Sequence, residues 1–260
     1  MAKNFLKYIF SIENSNKSKH ITVYLFGLKL NFKKKYCDNF NNMYGNKVVF
    51  IVDGEEKEDY PIPEGLALGI VGKNNKVTIE MPITFVNTQI SVVGDNNVFS
   101  IKNTPVMVKD ANFYIADGSE VYIDENSSVG QGNFRLVANG NYEDKHKVTI
   151  GKNFRAALDT VIRTSDGHTV LDFETNLATN EPKDIIIGDN VWIMTRCMLA
   201  KGAKIPSNSA VAAYSFVNKS FDEENILLAG IPAKILKHNF KWDVRSYGQY
   251  MRDTKENKEE

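Results

Sequence analysis

The sequence predicts an all-β fold, a parallel β-helix of hexapeptide repeats, on two periodicities and one interruption. Apolar residues fall at every sixth position, at Ile150, Ala156 and Ile162, and again at Ile187, Ile193, Leu199, Ile205, Val211 and Val217. An α-helix returns to the same face after about 3.6 residues and a flat strand after two, so neither carries such a column. A coil with three short flat sides, one inward residue per side, does. Upstream, apolar residues recur every 22 positions, in the columns Val71, Val93, Ile115; Val77, Phe99, Val121; Ile79, Ile101, Ile123; and Phe85, Met107, Val129. Turn formers repeat at the same offset, as Gly72-Lys73-Asn74-Asn75, Gly94-Asp95-Asn96-Asn97 and Ala116-Asp117-Gly118-Ser119. These residues predict stacked coils with longer corners, each burying its inner side against the next. The interruption falls at position 168, where the ladder is due an apolar residue and has His168; the pattern resumes at Ile187. A loop of about 166–184 therefore leaves the scaffold.

In chain order, residues 1–46 form an N-terminal segment with a short apolar start and three consecutive lysines, Lys33, Lys34 and Lys35, which read as a solvated turn or as a contact to anionic lipid. Residues 47–147 carry the irregular coils of period about 22, and 130–147 read as a polar, turn-rich joint. Residues 148–237 form the regular hexapeptide region with its loop. The remainder, 238–260, reads as a helix over about 238–253, with Trp242, Val244, Tyr247 and Met251 on one face to cap the open end, and a frayed charged tail. His20 and His146 read as loop histidines.

The 260 residues suffice for a full core, and 32 Lys+Arg against 32 Asp+Glu leave no global charge to favour nucleic acid. Cys37 and Cys197 have neither framework nor metal-ligand spacing, which predicts a reducing, cytoplasmic setting. No window reaches about 20 apolar residues, so no membrane-spanning helix is expected and any acceptor is met inside the cell or at the inner membrane face.

A histidine on a loop ejected from a rigid scaffold is a strong candidate for chemistry. An imidazole, with an ordinary pKa of about 6.5, suits proton removal near neutral pH. Asp166 and Asp172 flank His168, and either suits the carboxylate that fixes a base's tautomer. Arg163 and Arg196 are each able to meet a sugar carboxylate as a bidentate fork. Ser165 offers a nucleophile, though Ser-Asp-Gly is also ordinary turn chemistry.

The six-residue ladder, Asn190-Val191-Trp192-Ile193, Val211-Ala212-Ala213-Tyr214-Ser215-Phe216-Val217 and Ala229-Gly230-Ile231-Pro232-Ala233-Lys234-Ile235-Leu236-Lys237 together resemble the hexapeptide-repeat acetyltransferases. Arg163-Thr164-Ser165-Asp166-Gly167-His168 narrows the resemblance to the branch acting on bacterial surface polysaccharides and sialic acids. The resemblance is specific over about 145–240. It implies a left-handed coil, a homotrimer, and direct acetyl transfer from acetyl-CoA to a hydroxyl of a capsule or lipooligosaccharide glycan with His168 as base. It puts Trp192 beside that base. It also implies a cofactor groove between subunits at Gly202, Ala212, Ala213, Ala229 and Gly230, with Lys219, Lys234 and Lys237 near the phosphates, and no metal. Two departures stand in that groove: Met194-Thr195-Arg196, where the family commonly has Gly and small residues, and Ala212-Ala213-Tyr214 in place of Gly-Ala-Gly. A nucleotide-amino-sugar N-acetyltransferase and a non-catalytic β-helix for binding or assembly are the alternatives; a γ-type carbonic anhydrase lacks the three histidines it needs.

Overall fold

The computed structural model describes residues 10–14, 20–25, 28–33, 41, 44–140 and 143–256. From Lys47 onward the chain winds through a three-sided prism. Face I holds Lys47–Val52, Lys76–Glu80, Val98–Ile101, Glu120–Ile123, Lys147–Ile150, Ile185–Ile187 and Lys204–Ile205. Face II holds Arg155–Ala156, Trp192–Ile193, Ala210–Val211 and Leu227–Gly230. Face III holds Leu66–Val71, Thr88–Val93, Val108–Ala116, Gln131–Asn139, Val161–Arg163, Met198–Leu199 and Phe216–Val217. Each turn runs from face I to II to III and back, and successive turns pair in parallel, as the left-handed β-helix class requires. Two strands reverse direction at the stack's margins: Glu55–Lys57 against Lys47–Val52 on face I, and Ala233–Lys237 against Leu227–Gly230 on face II. Phe10–Asn14, His20–Leu25 and Leu28–Lys33 form a separate antiparallel sheet, so His20 opens a strand and does not sit in a loop. Lys34, Lys35 and Cys37 lie outside the described residues.

The six-residue ladder is the core of the regular coils: all nine predicted positions are buried, with Ala156 the most exposed at 3%. A side only two or three residues long offers one inward position, and aliphatic residues fill the narrow prism. The earlier coils are wider, and phenylalanines fill them. Phe99 stacks edge-on to Phe113 at 5.2 Å, and Phe113 tilts against Phe134 at 5.7 Å. Two predicted columns hold, with Val77, Phe99 and Val121 in register and Ile79, Ile101 and Ile123 likewise. Two are corrected by one residue. Ile115 pairs with Val92, not Val93, and Val108, not Met107, pairs with Phe85. The coil between Ile101 and Val108 is one residue longer than its predecessor, which leaves Met107 exposed and Val108 buried.

Nearly every corner turns through a residue in the left-handed region, which Asn and Asp tolerate better than other side chains. Asn74, Asn96 and Asp117 do this between faces III and I, Asn126, Asn153, Asn190, Asn208 and Asn225 between I and II, and Asn87, Asp110, Asn133 and Asp159 between II and III. Inside the III/I corner a buried amide ladder runs along the axis: Asn46 Oδ1 accepts from the Asn75 N–H at 2.9 Å, Asn75 Oδ1 from Asn97 at 3.0 Å, and Asn97 Oδ1 from Ser119 at 3.0 Å. The repeated Asn-Asn pairs of the sequence are thus one exterior turn residue followed by one interior rung. The segment 130–147, expected as a polar, turn-rich joint, contains the nine-residue strand Gln131–Asn139 on face III.

The C-terminal reading is corrected in both place and purpose. The helix spans Tyr247–Glu256, and residues 238–246 are a non-helical strap. The strap turns at Asn239, in the left-handed region, and folds back along the prism. The Phe240 N–H donates to the Asn225 carbonyl, and Trp242 Nε1 donates to the Asn190 carbonyl at 3.0 Å, two coils nearer the N-terminus. The open end is covered by the Ala233–Lys237 strand and not by the helix.

Candidate active site

The chain leaves face III after Arg163 and rejoins face I at Ile185. Thr164 fastens both ends of that excursion. Fully buried, it accepts from the Asn139 N–H at 2.8 Å and donates to the Asn139 carbonyl at 2.9 Å, while its own carbonyl accepts from the returning Lys183 N–H at 3.0 Å. Within the loop, Asn180 donates to the His168 carbonyl at 2.7 Å and to Asp166 Oδ2 at 2.9 Å, and accepts from the Val170 N–H at 2.8 Å. Lys201, from the next coil, donates to Asp166 Oδ2 at 2.6 Å and to the Asn180 carbonyl at 2.9 Å. The loop is therefore a fixed platform, and His168 stands exposed on it.

His168 lines a cleft of about 580 Å³ with Asp117, Asn139, Ser165, Asp166 and Asn180. Five buried polar atoms without a hydrogen-bond partner among the described residues belong to this same III/I corner: Ser119 Oγ, Asn139 Oδ1, His146 Nε2, Arg163 Nε and Ser165 Oγ. Desolvated donors and acceptors left unspent at one place carry polar recognition capacity. Arg163 lies directly beneath the loop, its Nη2 2.9 Å from where a side chain at Gly167 would begin. His146 is not the exposed histidine the sequence suggests. Its side chain is 12% exposed and its Nδ1 lies 3.5 Å from Asp184 Oδ1 at the loop's base.

Neither flanking carboxylate meets the His168 ring. The Lys201 ammonium, then the Asn180 amide, hold the Asp166 carboxyl below the usual carboxylate range. Asp172 closes its own turn, accepting from Thr175 N–H and Oγ1 at 2.8 Å each and from the Glu174 N–H at 3.1 Å; the Thr175 N–H is the main cause of its lowered pKa. Both are loop staples, and Asp favours such turns on its own account.

Trp192 lies on face II, away from the corner that carries His168. Its ring tilts against that of Trp242 at 5.7 Å, and the two indoles form one wall of a 550 Å³ cleft with Arg155, Asp243, Arg245 and Tyr247. The Arg155 guanidinium donates to the Asn126 and Phe154 carbonyls, and burial pulls its pKa down.

The residues proposed for a cofactor divide between two corners. Gly202 and Lys219 sit at III/I with His168, and the Lys219 ammonium rests over the Phe221 ring at 5.2 Å. Ala212, Ala213, Ala229 and Gly230 sit at II/III. There the Cys197 thiol donates to the Ala212 carbonyl at 3.1 Å, and burial pushes the thiol pKa up. Gly230, at φ 109°, donates its N–H to Ser215 Oγ at 3.1 Å. Lys234 and Lys237 are exposed on the closing strand.

Arg196 is not a free fork. It bridges Asp159 at 3.2 Å, donates to Tyr214 Oη at 2.6 Å and lies 5.5 Å over the Tyr214 ring. Arg196 and Tyr214 occupy left-handed positions, at φ 58° and 60°, and the two side chains stack on each other across one coil. Their offset of 18, one regular coil, was the sequence signal that would have paired them. Lys201, Asn180 and Trp242 were missed because nothing periodic links them to their partners.

No family model matches the chain. A polysialic acid O-acetyltransferase of Escherichia coli O1:K1 / APEC is 33% identical over 138 residues, 53% of this chain but 43% of that protein, so the chain spans less than half of that relative. A polysialic acid O-acetyltransferase of Neisseria meningitidis is 30% identical over 203 residues, 70% of this chain and 92% of the relative. The chain belongs to this family. It is an acyltransferase of the hexapeptide-repeat class, in the branch of surface-polysaccharide and sialic-acid O-acetyltransferases. Solved structures agree with the assignment. The polysialic-acid-specific acetyltransferase NeuO superposes with a TM-score of 0.67 at 28% identity, covering 80% of this chain and 89% of NeuO. The polysialic acid O-acetyltransferase OatWY gives 0.59 at 25%, covering 84% and 99%.

Proposed function

We propose that this acyltransferase moves an acetyl group from acetyl-CoA to a hydroxyl of a bacterial capsule or lipooligosaccharide glycan, a sialic acid polymer in the first instance, with His168 as general base. The observation that carries the reading is the placement of His168: exposed on a stapled loop, over a cleft lined by Asn139 and Ser165, each with an unspent oxygen, and with the Arg163 guanidinium packed against the loop at Gly167. The acceptor hydroxyl binds in the cleft, and His168 takes its proton as the oxygen attacks the thioester carbonyl. A carbon–oxygen bond forms, the carbon–sulfur bond breaks, and His168 returns the proton to the departing sulfur. Arg163 answers a sugar carboxylate. Base catalysis of this kind contributes about 10²- to 10⁴-fold. No residue is needed as an acyl carrier, and Ser165, with its hydroxyl buried, is poorly placed for one.

Acetyl-CoA supplies the activated acetyl group. The II/III corner suits pantetheine because small residues, Ala213 and Gly230, leave main chain open, and Lys234 and Lys237 stand beyond them toward solvent. His168 and Trp192 occupy different faces of one protomer, which supports a homotrimer in which one copy's loop meets the next copy's face II. We place the reaction in the cytoplasm at the inner membrane face. No helix among the described residues is long and apolar enough to cross a membrane.

The test is CoA release from acetyl-CoA with sialylated and neutral glycans, comparing wild type with His168→Ala. Acceptor-dependent release that collapses at least 100-fold in the variant, with melting and CoA binding retained, is expected. Equal release from both proteins removes His168 as base, and absence of CoA binding moves the chain to a binding or assembly role.

A further inference from the structure

A groove of about 860 Å³ lies outside face III, beside the II/III corner and not the III/I corner that carries His168. It touches five successive coils, at Gly65–Ala67, Asn87–Gln89, Asp110–Asn112, Gly132–Arg135 and Leu158–Asp159. Coils stack at about 4.8 Å, so four steps give a length of about 19 Å along the prism axis.

Two rows of polar side chains line it. One is the outward column of face III, where Gln89, Asn112 and Arg135 stand directly in register. The other is the corner row of left-handed residues, in which Asn87 donates to Asp110 at 2.7 Å and Asn133 to Asp159 at 2.9 Å. Asn87, Asn112 and Asn133 each spend an N–H on a neighbour and keep their oxygens for a ligand, whereas Gln89 already donates to Ser91 and accepts from Asn112. Arg135 makes no ion pair among the described residues. Gly132 keeps the floor open, since a side chain there would meet Leu158 Cδ2 at 2.8 Å. At its far end the groove reaches Asp159, which is bridged to Arg196, one corner away from Trp192.

We infer that this groove binds an extended glycan chain, the part of the acceptor polymer that lies beyond the sugar being acetylated. Donors and acceptors repeated over three successive coils on the face and four at the corner match a ligand that presents hydroxyls repeatedly along one axis. A protein partner would call for an apolar centre to the patch, and here the only large exposed apolar lining residue is Leu158. Arg135 is the sole cation in the lining, beside two aspartates, so hydrogen bonding rather than charge dominates recognition and binding depends weakly on salt. The inference rests on the acetyltransferase reading and adds to it a second, chain-length-reading site.

The experiment compares a sialic acid dimer with a decamer as acceptor, for wild type and for Asn112→Ala/Arg135→Ala. Both side chains point outward, and Asn112→Ala alone serves as the second variant. Wild type is expected to show a lower KM for the decamer. The double variant raises the decamer KM about tenfold, what one or two lost hydrogen bonds of ordinary net strength give, with kcat and the dimer KM unchanged. Calorimetric titration of the decamer is read in parallel. If dimer and decamer are acetylated with equal KM by wild type, or the variant's KM values match wild type, the groove is not an acceptor site although the enzyme stands. A change of oligomeric state in the variants overturns the inference in favour of an interface between copies. If no acceptor is acetylated, the transferase reading fails separately; decamer binding that is lost in the variant still supports the groove, and binding that is absent or unchanged refutes it.

Discussion

Replacing Thr164 with Val isolates what holds the His168 platform to the prism. The change keeps the buried shape and removes one hydroxyl that makes two hydrogen bonds, at 2.8 and 2.9 Å, to the main chain of Asn139. Each bond contributes about 1 kcal/mol net, and leaving the Asn139 N–H and carbonyl partly desolvated without partners adds to that. The expected loss is about 2–4 kcal/mol, read as a lower urea midpoint with an unchanged m-value. The bond from the Lys183 N–H to the Thr164 carbonyl is kept, but the loop's departing end loses its anchor to Asn139, and with it His168 loses its fixed height above the cleft. A misplacement of about 1 Å costs on the order of 100-fold in rate, so kcat falls at least tenfold while KM for acetyl-CoA holds. A stability change below about 0.5 kcal/mol, the range of an inert surface substitution, or an unchanged kcat refutes the role assigned to Thr164.

Three further outcomes follow from the same geometry. Ile187→Ala, at a position 1% exposed, costs about 2–5 kcal/mol in denaturant unfolding, whereas Ile186→Ala, 45% exposed, stays within about 0.5 kcal/mol; equal effects would mean the inward register is misassigned. Trp242→Ala removes an indole stack and a 3.0 Å hydrogen bond, so limited proteolysis cuts first within 238–246 while the coils resist; an uncut strap contradicts the docking described. Arg245, which hydrogen-bonds both Asp243 oxygens, holds the Asp243 carboxyl down at about 2. A depressed carboxylate adds stability that is complete above about pH 4 and disappears as pH falls through about 2. Tryptophan emission therefore reports strap release on acidification over that interval, and Asp243→Asn abolishes the transition.

Where the chain repeats at short range, the residues announced their positions. Ile150 through Val217 were legible because a side of two or three residues has a single inward position, so spacing alone determines burial. His168 was legible as the rung that breaks the column. The wider coils were legible only to within one residue, because an insertion in a long corner moves Val108 into Met107's expected place without disturbing the pattern on either side. The strap was misread because Trp242, Val244, Tyr247 and Met251 have near-helical spacing, while the contacts that decide its path, to Asn190 and Trp192, lie about 50 residues away and belong to no period. Asp166 and Asp172 were plausible partners for a base by proximity in sequence; Lys201 and Thr175 claim them by proximity in space.

The reversed strand Ala233–Lys237 bears on how the molecule avoids becoming a fibre. A prism of identical rungs has the same bonding pattern at its last turn as at its first, so nothing intrinsic to the coil halts end-to-end polymer growth between copies. The reversed strand bonds the outer edge of Leu227–Gly230 in the opposite sense, and an incoming parallel rung finds no matching row of donors and acceptors on that face. Removing residues 233–237 bares a parallel-competent edge, the head-to-tail, non-closing type of contact that produces filaments. Light scattering that rises with protein concentration in the truncated chain, and stays flat in the intact one, is the expected sign.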